Sequence, residues 1–358
     1  MRKYFTGSTI QSLLCVPQRI LTNSIFFVAA SSRPSSCLQC WNWPFEEASE
    51  PFLSSAIKIP HAATSIKCLP HPSSVQADHL ILATTNTGSV SLFDLKFDTG
   101  TKSFSEISTH CFHSGAATAL DILSGDTRFV SVGEDGVIHC ADIESLRVIQ
   151  SFSQDPDSAI NTVHSLSPFT FATALAHSSE VHIWDARTTS GLVRILQYPK
   201  HSIPDMHCCI WSIDHHPDKS WLLCHGLSGL FVQSNSSLVF HDLRASQLYP
   251  IFVNNSLHNN HIWQVKFHPT KPDYIFSASE DGSLVMWDFS TFSDQPYRQS
   301  LESSSVRNPS IRHQGQQNGR KIINYVASIE CFDIDSGHNA IISSTEDESI
   351  IFNLGSSF

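Results

Sequence analysis

The sequence predicts an all-β protein built as a closed ring of seven four-stranded blades, a seven-bladed β-propeller. Composition is the first reason. Of 358 residues, 41% are hydrophobic and only 15% charged. Phe, Ile, Val, Ser and Thr are plentiful while helix-forming charged residues are scarce, a balance that suits strands. The second reason is a repeat that runs from end to end. Its copies start about forty-five to fifty residues apart, with two longer gaps, which is the period of four-stranded propeller blades. The third is the turn chemistry inside each copy.

The clearest copy, HNNHIWQVKFHPTKPDYIFSASEDGSLVMWDF, occupies residues 258–289. An alternating strand is predicted over 262–267, then a His-Pro turn and a second strand over 274–279. An Asp-Gly turn and a third strand over 283–287 follow. Asp-Gly between two alternating apolar runs is the strongest short hairpin signal. The same order recurs at 62–95, 116–143, 159–187, 209–244 and 326–354, and a degenerate first copy at 25–44 completes seven. The copy at 326–354 ends on a third strand, which leaves an open sheet edge unless another segment covers it. Residues 3–11 precede the first copy and are predicted to supply that outer strand, closing 1–358 into one propeller.

The repeat resembles the WD40 repeat. Trp184-Asp185 and Trp287-Asp288 are literal Trp-Asp endings, and Phe93-Asp94, Ala141-Asp142 and His241-Asp242 are degenerate ones. The resemblance implies a buried polar set, which the clearest copy supplies as His258, Ser277, Asp281 and Trp287. Asp281 can accept bonds from backbone N–H groups in its turn and from His258. His258 can bridge to Ser277, and Ser277 to the Trp287 indole. Every group then has a partner, and an unpaired buried one costs roughly 1–3 kcal/mol. The copy at 116–143 keeps His113, Ser131 and Asp135 but has Ala141 in the Trp place, and the copy at 62–95 has Thr87 where Asp would sit. Asp, His and Ser also make up a hydrolase triad, but a set held within one blade lacks an oxyanion hole and an open pocket. The set is read as structural, and no residue is assigned to catalysis.

The remaining residues exclude more than they offer. A formal net charge of −11 makes the chain a poor ligand for phosphate backbones, so no direct nucleic-acid partner is expected. The ten cysteines are scattered through strand-like runs and are read as reduced thiols. Cys37 and Cys40 form a Cys-x-x-Cys without a second spaced pair, and Cys208 and Cys209 are adjacent, so no metal site is expected. Three of the twenty histidines, His71, His216 and His268, precede Pro in equivalent turns. No Gly-rich phosphate loop followed by Lys-Ser/Thr is present, and GLSGL at 226–230 falls short of a nucleophile elbow. Neither a cofactor nor an enzymatic activity is expected. The basic N-terminus alternates polar and apolar residues and does not form a signal peptide. The apolar run at 25–30 is too short to span a membrane, so no membrane insertion is expected. The sequons at Asn235 and Asn254 are read as chance matches.

Binding surfaces are the better prospect. Trp211 and Trp263 hold equivalent places in CIWSI and HIWQV, at the start of the innermost strand. Either they face partners at the channel mouth, where Trp is an enriched hot-spot residue, or they pack between blades. Arg187 in WDAR and Arg244 in HDLR fall on consecutive copies. These boxes resemble the docking signature of substrate receptors of cullin-RING ubiquitin ligases. The other reading has both arginines pairing with nearby acids, and His241 breaks the second box. Residues 290–324 are rich in Ser, Gln, Asn and Arg, with Arg298, Arg307, Arg312, Arg320 and Lys321 against Asp294 and Glu302. Such a stretch cannot bury a core and is expected to be a flexible polar insertion between blades six and seven. Residues 230–237 lengthen the fifth copy's final hairpin, as a longer loop or as an error in the gene model.

The order of HIWQVKFHPTKPDYIFSASEDGSLVMWDFST, VSVGEDGVI, IDHHPDK and IECFDIDSGHNAIISSTEDESIIFNL goes beyond generic repeat patterning. With the polar insertion before the last copy, it resembles the WD40-repeat nucleoporins of about 43 kilodaltons, which belong to the Y-shaped outer-ring scaffold of the nuclear pore. The first sixty residues match this pattern weakly. The resemblance implies a non-enzymatic scaffold subunit at the nuclear envelope that binds α-solenoid nucleoporins and does not homo-oligomerise by itself. It also implies indirect parts in protein import, messenger RNA export and pore assembly, and at kinetochores in mitosis. A cullin-RING substrate receptor is the alternative.

Overall fold

The computed structural model describes residues 1–17, 23–45, 49–70, 78–98, 101–125, 127–153, 158–197, 208–229, 236–245, 250–255, 257–290 and 319–354. They form seven four-stranded antiparallel sheets. The inner strands are Thr9–Cys15, Ala63–Pro70, Ala117–Ile122, Ile160–Ser165, Cys208–His215, Ile262–Phe267 and Ile329–Asp335. Each packs beside the inner strands of the neighbouring blades, and the seventh meets the first, so the ring is closed.

Six blades are simple meanders, and the seventh takes its outer strand from the start of the chain. Arg2–Phe5 lies antiparallel to Ser349–Leu354, with Arg2 opposite Phe352 and Phe5 opposite Ser349. The closing strand is shorter than the expected 3–11. Gly7 turns the chain at a φ of 67°, and Thr9–Cys15, including Gln11, becomes the inner strand of blade one. The reason lies in what the first copy lacks. Ser24–Arg33 and Cys37–Pro44 are only the second and third strands of that blade, so an inner strand had to precede them.

The middle strands lose polar/apolar alternation because both of their faces meet another blade. Ser24–Arg33 buries seven consecutive residues, and every residue of Ala340–Thr345 is buried. The outer strand Phe52–Lys58 has no buried residue, since little lies beyond it. Hydrophobic residues gather in seven clusters, one at each blade-to-blade interface, instead of one central core. Between blades seven and one, for example, Trp43 stacks on Phe352 at 4.9 Å. Such burial is worth about 0.8 kcal/mol per methylene group.

Two stretches read as insertions contribute strands. Gly319–Asn324 is the outer strand of blade six, with Ile323 1% exposed, so a polar insertion spanning 290–324 is too long at its C-terminal end. Apolar Ile323 gives that segment something to bury. Ser237 opens the third strand of blade five, Ser237–Asp242, and the Ser236 hydroxyl donates to the Asn260 carbonyl at 2.6 Å. Residues 230–235 and 291–318, and with them Asn235 and the basic run Arg298, Arg307 and Arg312, lie outside the described residues, as does His71. His216 and His268 are buried, and each ring Nδ1 accepts backbone N–H groups of the turn that follows, those of Asp218 and Lys219 and of Thr270 and Lys271.

Candidate functional site: blade locks, two rims and a charged channel

In blade six the Trp287 indole N–H donates to Ser277 at 2.8 Å, and Ser277 contacts His258 Nε2 at 2.7 Å. His258 Nδ1 meets the Ser283 hydroxyl at 3.0 Å, and that hydroxyl donates to Asp281. Direct contact between His258 and Asp281 is long, 3.5 Å, because Ser283 takes the nearer place. Proton donors and acceptors run one way through this chain. Ser283 donates to the carboxylate, so His258 carries its proton on Nδ1 and accepts from Ser277 at Nε2. Asp281 also accepts the N–H groups of Asn259 at 3.0 Å and Ser283 at 2.9 Å. Burial would raise its carboxyl, but bonds from His258, Ser283 and the Asn259 N–H outweigh burial and hold it well below the usual carboxylate range. In Ser277→Ala the indole and the imidazole both lose their buried partner. The variant is expected to be about 1–3 kcal/mol less stable. Urea unfolding measures this, and a midpoint equal to wild type would contradict the network.

Blade three holds a shorter version. His113 lies 2.9 Å from Asp135 and 3.0 Å from Ser131, and Asp135 accepts the Ser114 N–H at 3.0 Å. Gly133 makes room for the imidazole, since a Cβ there would sit 2.7 Å from His113 Nδ1. Blade four pairs the Trp184 indole with Thr173 at 2.9 Å. In blade five the equivalent slot holds two fully buried histidines, His225 and His241, with their Nε2 atoms 3.3 Å apart. The pair is not legible from the repeat alone, in which His241 is a degenerate form of the Trp place and nothing marks His225 as standing in the Ser/Thr place.

The two candidate binding pairs stand on opposite rims. Every inner strand carries a register irregularity near its start, and the residues displaced there include Trp211 and Trp263. A bulge re-aims its side chain, here into the mouth of the channel. The two indoles meet edge to face at 5.4 Å. Trp211 is 39% exposed, while Trp263 is half-buried and donates to Ser328 at 3.0 Å. Arg187 and Arg244 follow the third strands of blades four and five, at the far ends of the inner strands. Each forks on the carboxylate two residues before it: Arg187 on Asp185 at 3.0 and 2.6 Å, Arg244 on Asp242 at 3.0 and 2.8 Å. Arg244 also lies 3.4 Å over the Trp221 ring. Both guanidinium groups are exposed but already engaged.

The channel, about 290 Å³ in volume, is lined by inner strands of all seven blades. A belt of charge runs round it. Asp121 pairs with Lys67 at 2.8 Å and His164 at 3.4 Å, His164 lies 3.3 Å from Asp214, and Lys266 pairs with Asp333. Each carboxylate also accepts a backbone N–H from the next blade: Asp121 from Ser165 at 2.8 Å, Asp214 from Phe267 at 2.6 Å, Asp333 from Cys15 at 2.6 Å. Those contacts define one level, occupied in order by Leu14, Lys67, Asp121, His164, Asp214, Lys266 and Asp333. Basic and acidic groups alternate through six blades. An odd ring cannot alternate throughout, and Leu14 takes the seventh place. Burial would raise the Asp121 carboxyl, but Lys67 and His164 hold it low. At Asp214 burial prevails and the carboxyl is raised. Burial lowers Lys266 as well, yet Asp333 more than restores it. A signal for the belt was present: a charged residue or His sits amid apolar neighbours at the same column of six copies, as in SIKCL, ALDIL and QVKFH.

A closed seven-bladed ring, tied in blade six by a His–Ser–Trp lock, defines an all-β seven-bladed propeller. No family model matches the chain. It is similar to Nucleoporin Nup43 of Mus musculus, 29% identical over 231 residues that make up 62% of this chain and 56% of that protein. Nucleoporin Nup43 of Homo sapiens is 27% identical over 65% of this chain and 61% of its own length. The nuclear pore complex protein nup43 of Dictyostelium discoideum is 24% identical over 63% of this chain and 50% of its own length. Nup43 proteins are thus homologues of this seven-bladed propeller, which spans between half and about three-fifths of their length.

Proposed function

We propose that this chain is a scaffold subunit of the nuclear pore complex, a non-enzymatic propeller that presents fixed rims to other nucleoporins. The observation that carries the proposal is the similarity to Nup43 proteins over about three-fifths of the chain. The closed ring fits the role. Seven interlocked interfaces hold the rim residues in place, so a partner loses less freedom on docking. The partners proposed are α-solenoid nucleoporins of the Y-shaped outer-ring complex. Roles in protein import, messenger RNA export, pore assembly and mitotic kinetochores follow through that complex. Trp211 and Trp263 are the proposed hot spot on one rim.

Affinity purification of the tagged chain tests this. Scaffold nucleoporins are expected to dominate the recovered proteins, and a tagged chain is expected at the nuclear rim. Diffuse nuclear signal and recovery of cullin with its adaptor would favour the ligase-receptor alternative. That alternative has one point in its support, since Arg187 and Arg244 share a rim on neighbouring blades. Trp263→Ala is expected to weaken recovery of the main partner at least about tenfold, a hot-spot effect. Unchanged recovery by a folded variant would remove the tryptophans from the interface.

A further inference from the structure

Three donor atoms converge on the channel wall between blades four and five. His164 Nε2 lies 2.7 Å from His215 Nδ1 and 3.3 Å from Asp214 Oδ1. The three donors lie within 4.8 Å of one another. We propose that His164, Asp214 and His215 bind a divalent ion of the Zn²⁺ type and clamp blade four to blade five.

The donor set is the first argument. Two imidazole nitrogens and one carboxylate oxygen suit Zn²⁺ and its neighbours, and poorly suit Ca²⁺ or Mg²⁺, which take oxygen. Metal–ligand bonds of about 2.0–2.1 Å place tetrahedral donors roughly 3.3 Å apart. The His164–Asp214 separation of 3.3 Å already meets that spacing, and His215 Nδ1 lies within 4.8 Å of both other donors.

The outer contacts are the second argument. A metal-binding His usually gives its other ring N–H to a carboxylate, which fixes the ring and raises its basicity. His164 Nδ1 faces Asp121 at 3.4 Å, and Asp121 is itself fixed by Lys67 at 2.8 Å and the Ser165 N–H at 2.8 Å. Asp214 is oriented the same way, its second oxygen accepting the Phe267 N–H at 2.6 Å. His164 and Asp214 line the channel, which leaves the fourth position open to water.

Without an ion, the two imidazoles share one proton across their 2.7 Å contact. An ion takes the place of that proton, which passes to His215 Nε2 so that the ring stays neutral, and bonds to both rings.

The test uses the full chain, freed of metal by chelation and dialysis, titrated with Zn²⁺ by calorimetry and with Co²⁺ by absorption. One equivalent is expected, with visible bands of tetrahedral Co²⁺ and no near-ultraviolet thiolate band. His164→Gln and His215→Gln are each expected to weaken binding at least about tenfold. Asp121→Asn, which keeps all three donors, should weaken it by on the order of ten- to a hundredfold. The proposal is overturned by absence of saturable binding, by a thiolate band, or by undiminished affinity in His215→Gln. Should His164→Gln fail to fold, the wild-type Co²⁺ spectrum and His215→Gln still decide it.

Discussion

Deleting residues 1–6 is expected to open the ring and leave the last blade prone to aggregation. Arg2–Phe5 pairs residue for residue with the strand Ser349–Leu354, and the Thr6 N–H adds a bond to the Glu348 carbonyl at 2.9 Å. Its side chains bind too. The Arg2 guanidinium donates to the Phe45 carbonyl at 2.9 Å, Lys3 pairs with Asp347 at 3.1 Å, and Tyr4 lies edge-on to Trp41 at 5.9 Å. Arg2 and Tyr4 thus fasten blade seven to blade one. At about 1 kcal/mol for each ladder hydrogen bond, the deletion forfeits several kcal/mol before packing is counted. It also exposes Ser349–Leu354, whose first four residues are buried, as an unpaired apolar edge. A lower urea midpoint and oligomers on size-exclusion chromatography are the expected readings. A monomer with unchanged midpoint would show that ring closure does not depend on this strand.

The second large effect is loss of stability in mild acid, centred on blade five. His225 and His241 are fully buried, and burial depresses both from an ordinary value of 6.5, His225 to about 3 and His241 well below its ordinary value. The sign follows from proton uptake. Below pH 6.5 the unfolded chain binds protons at these imidazoles and the folded chain does not. Stability therefore rises with pH through this window and falls on acidification, by about 1.4 kcal/mol per pH unit for each such imidazole. Depressed carboxyls such as Asp281 act only below about pH 4, so the two effects separate. Blade four shows how to remove the histidine effect, because Thr173 and Trp184 fill the equivalent slot without a titrating group. The double variant His225→Thr with His241→Trp is expected to lose less stability between about pH 6.5 and pH 4.5 than wild type. Urea midpoints across that range measure the slope. An unchanged slope would assign the acid sensitivity to other buried histidines, of which His113 and His164 are the first to test.

Much of the fold was legible because each blade repeats a local solution. Ser277, Asp281 and Trp287 lie within eleven residues, and their places follow from hairpin geometry once the Asp-Gly turn is recognised. Strand bounds at the ring closure were less legible. Residues 3–11 carry parts of two strands of different blades, and only the short turn Thr6, Gly7 and Ser8 separates them. The reading of 290–324 as insertion failed at its end for a related reason. An outer strand is half exposed, so Gly319–Asn324 reads like loop until its partner is known.

The sequence by itself determined an all-β propeller, its seven blades, closure by the chain start, and the residues of the blade-six lock. These depend on contacts between residues close in the chain or on a period that composition cannot hide. Only the tertiary structure decided what the blades do to one another. Asp121, His164 and Asp214 belong to three separate copies, and nothing local in any of them requires a charge in an apolar strand. Their alternation has meaning only when the ring brings the inner strands side by side around one channel. The tryptophans and the arginines likewise fall on opposite rims because antiparallel register, set by the whole sheet, assigns each strand end to a face.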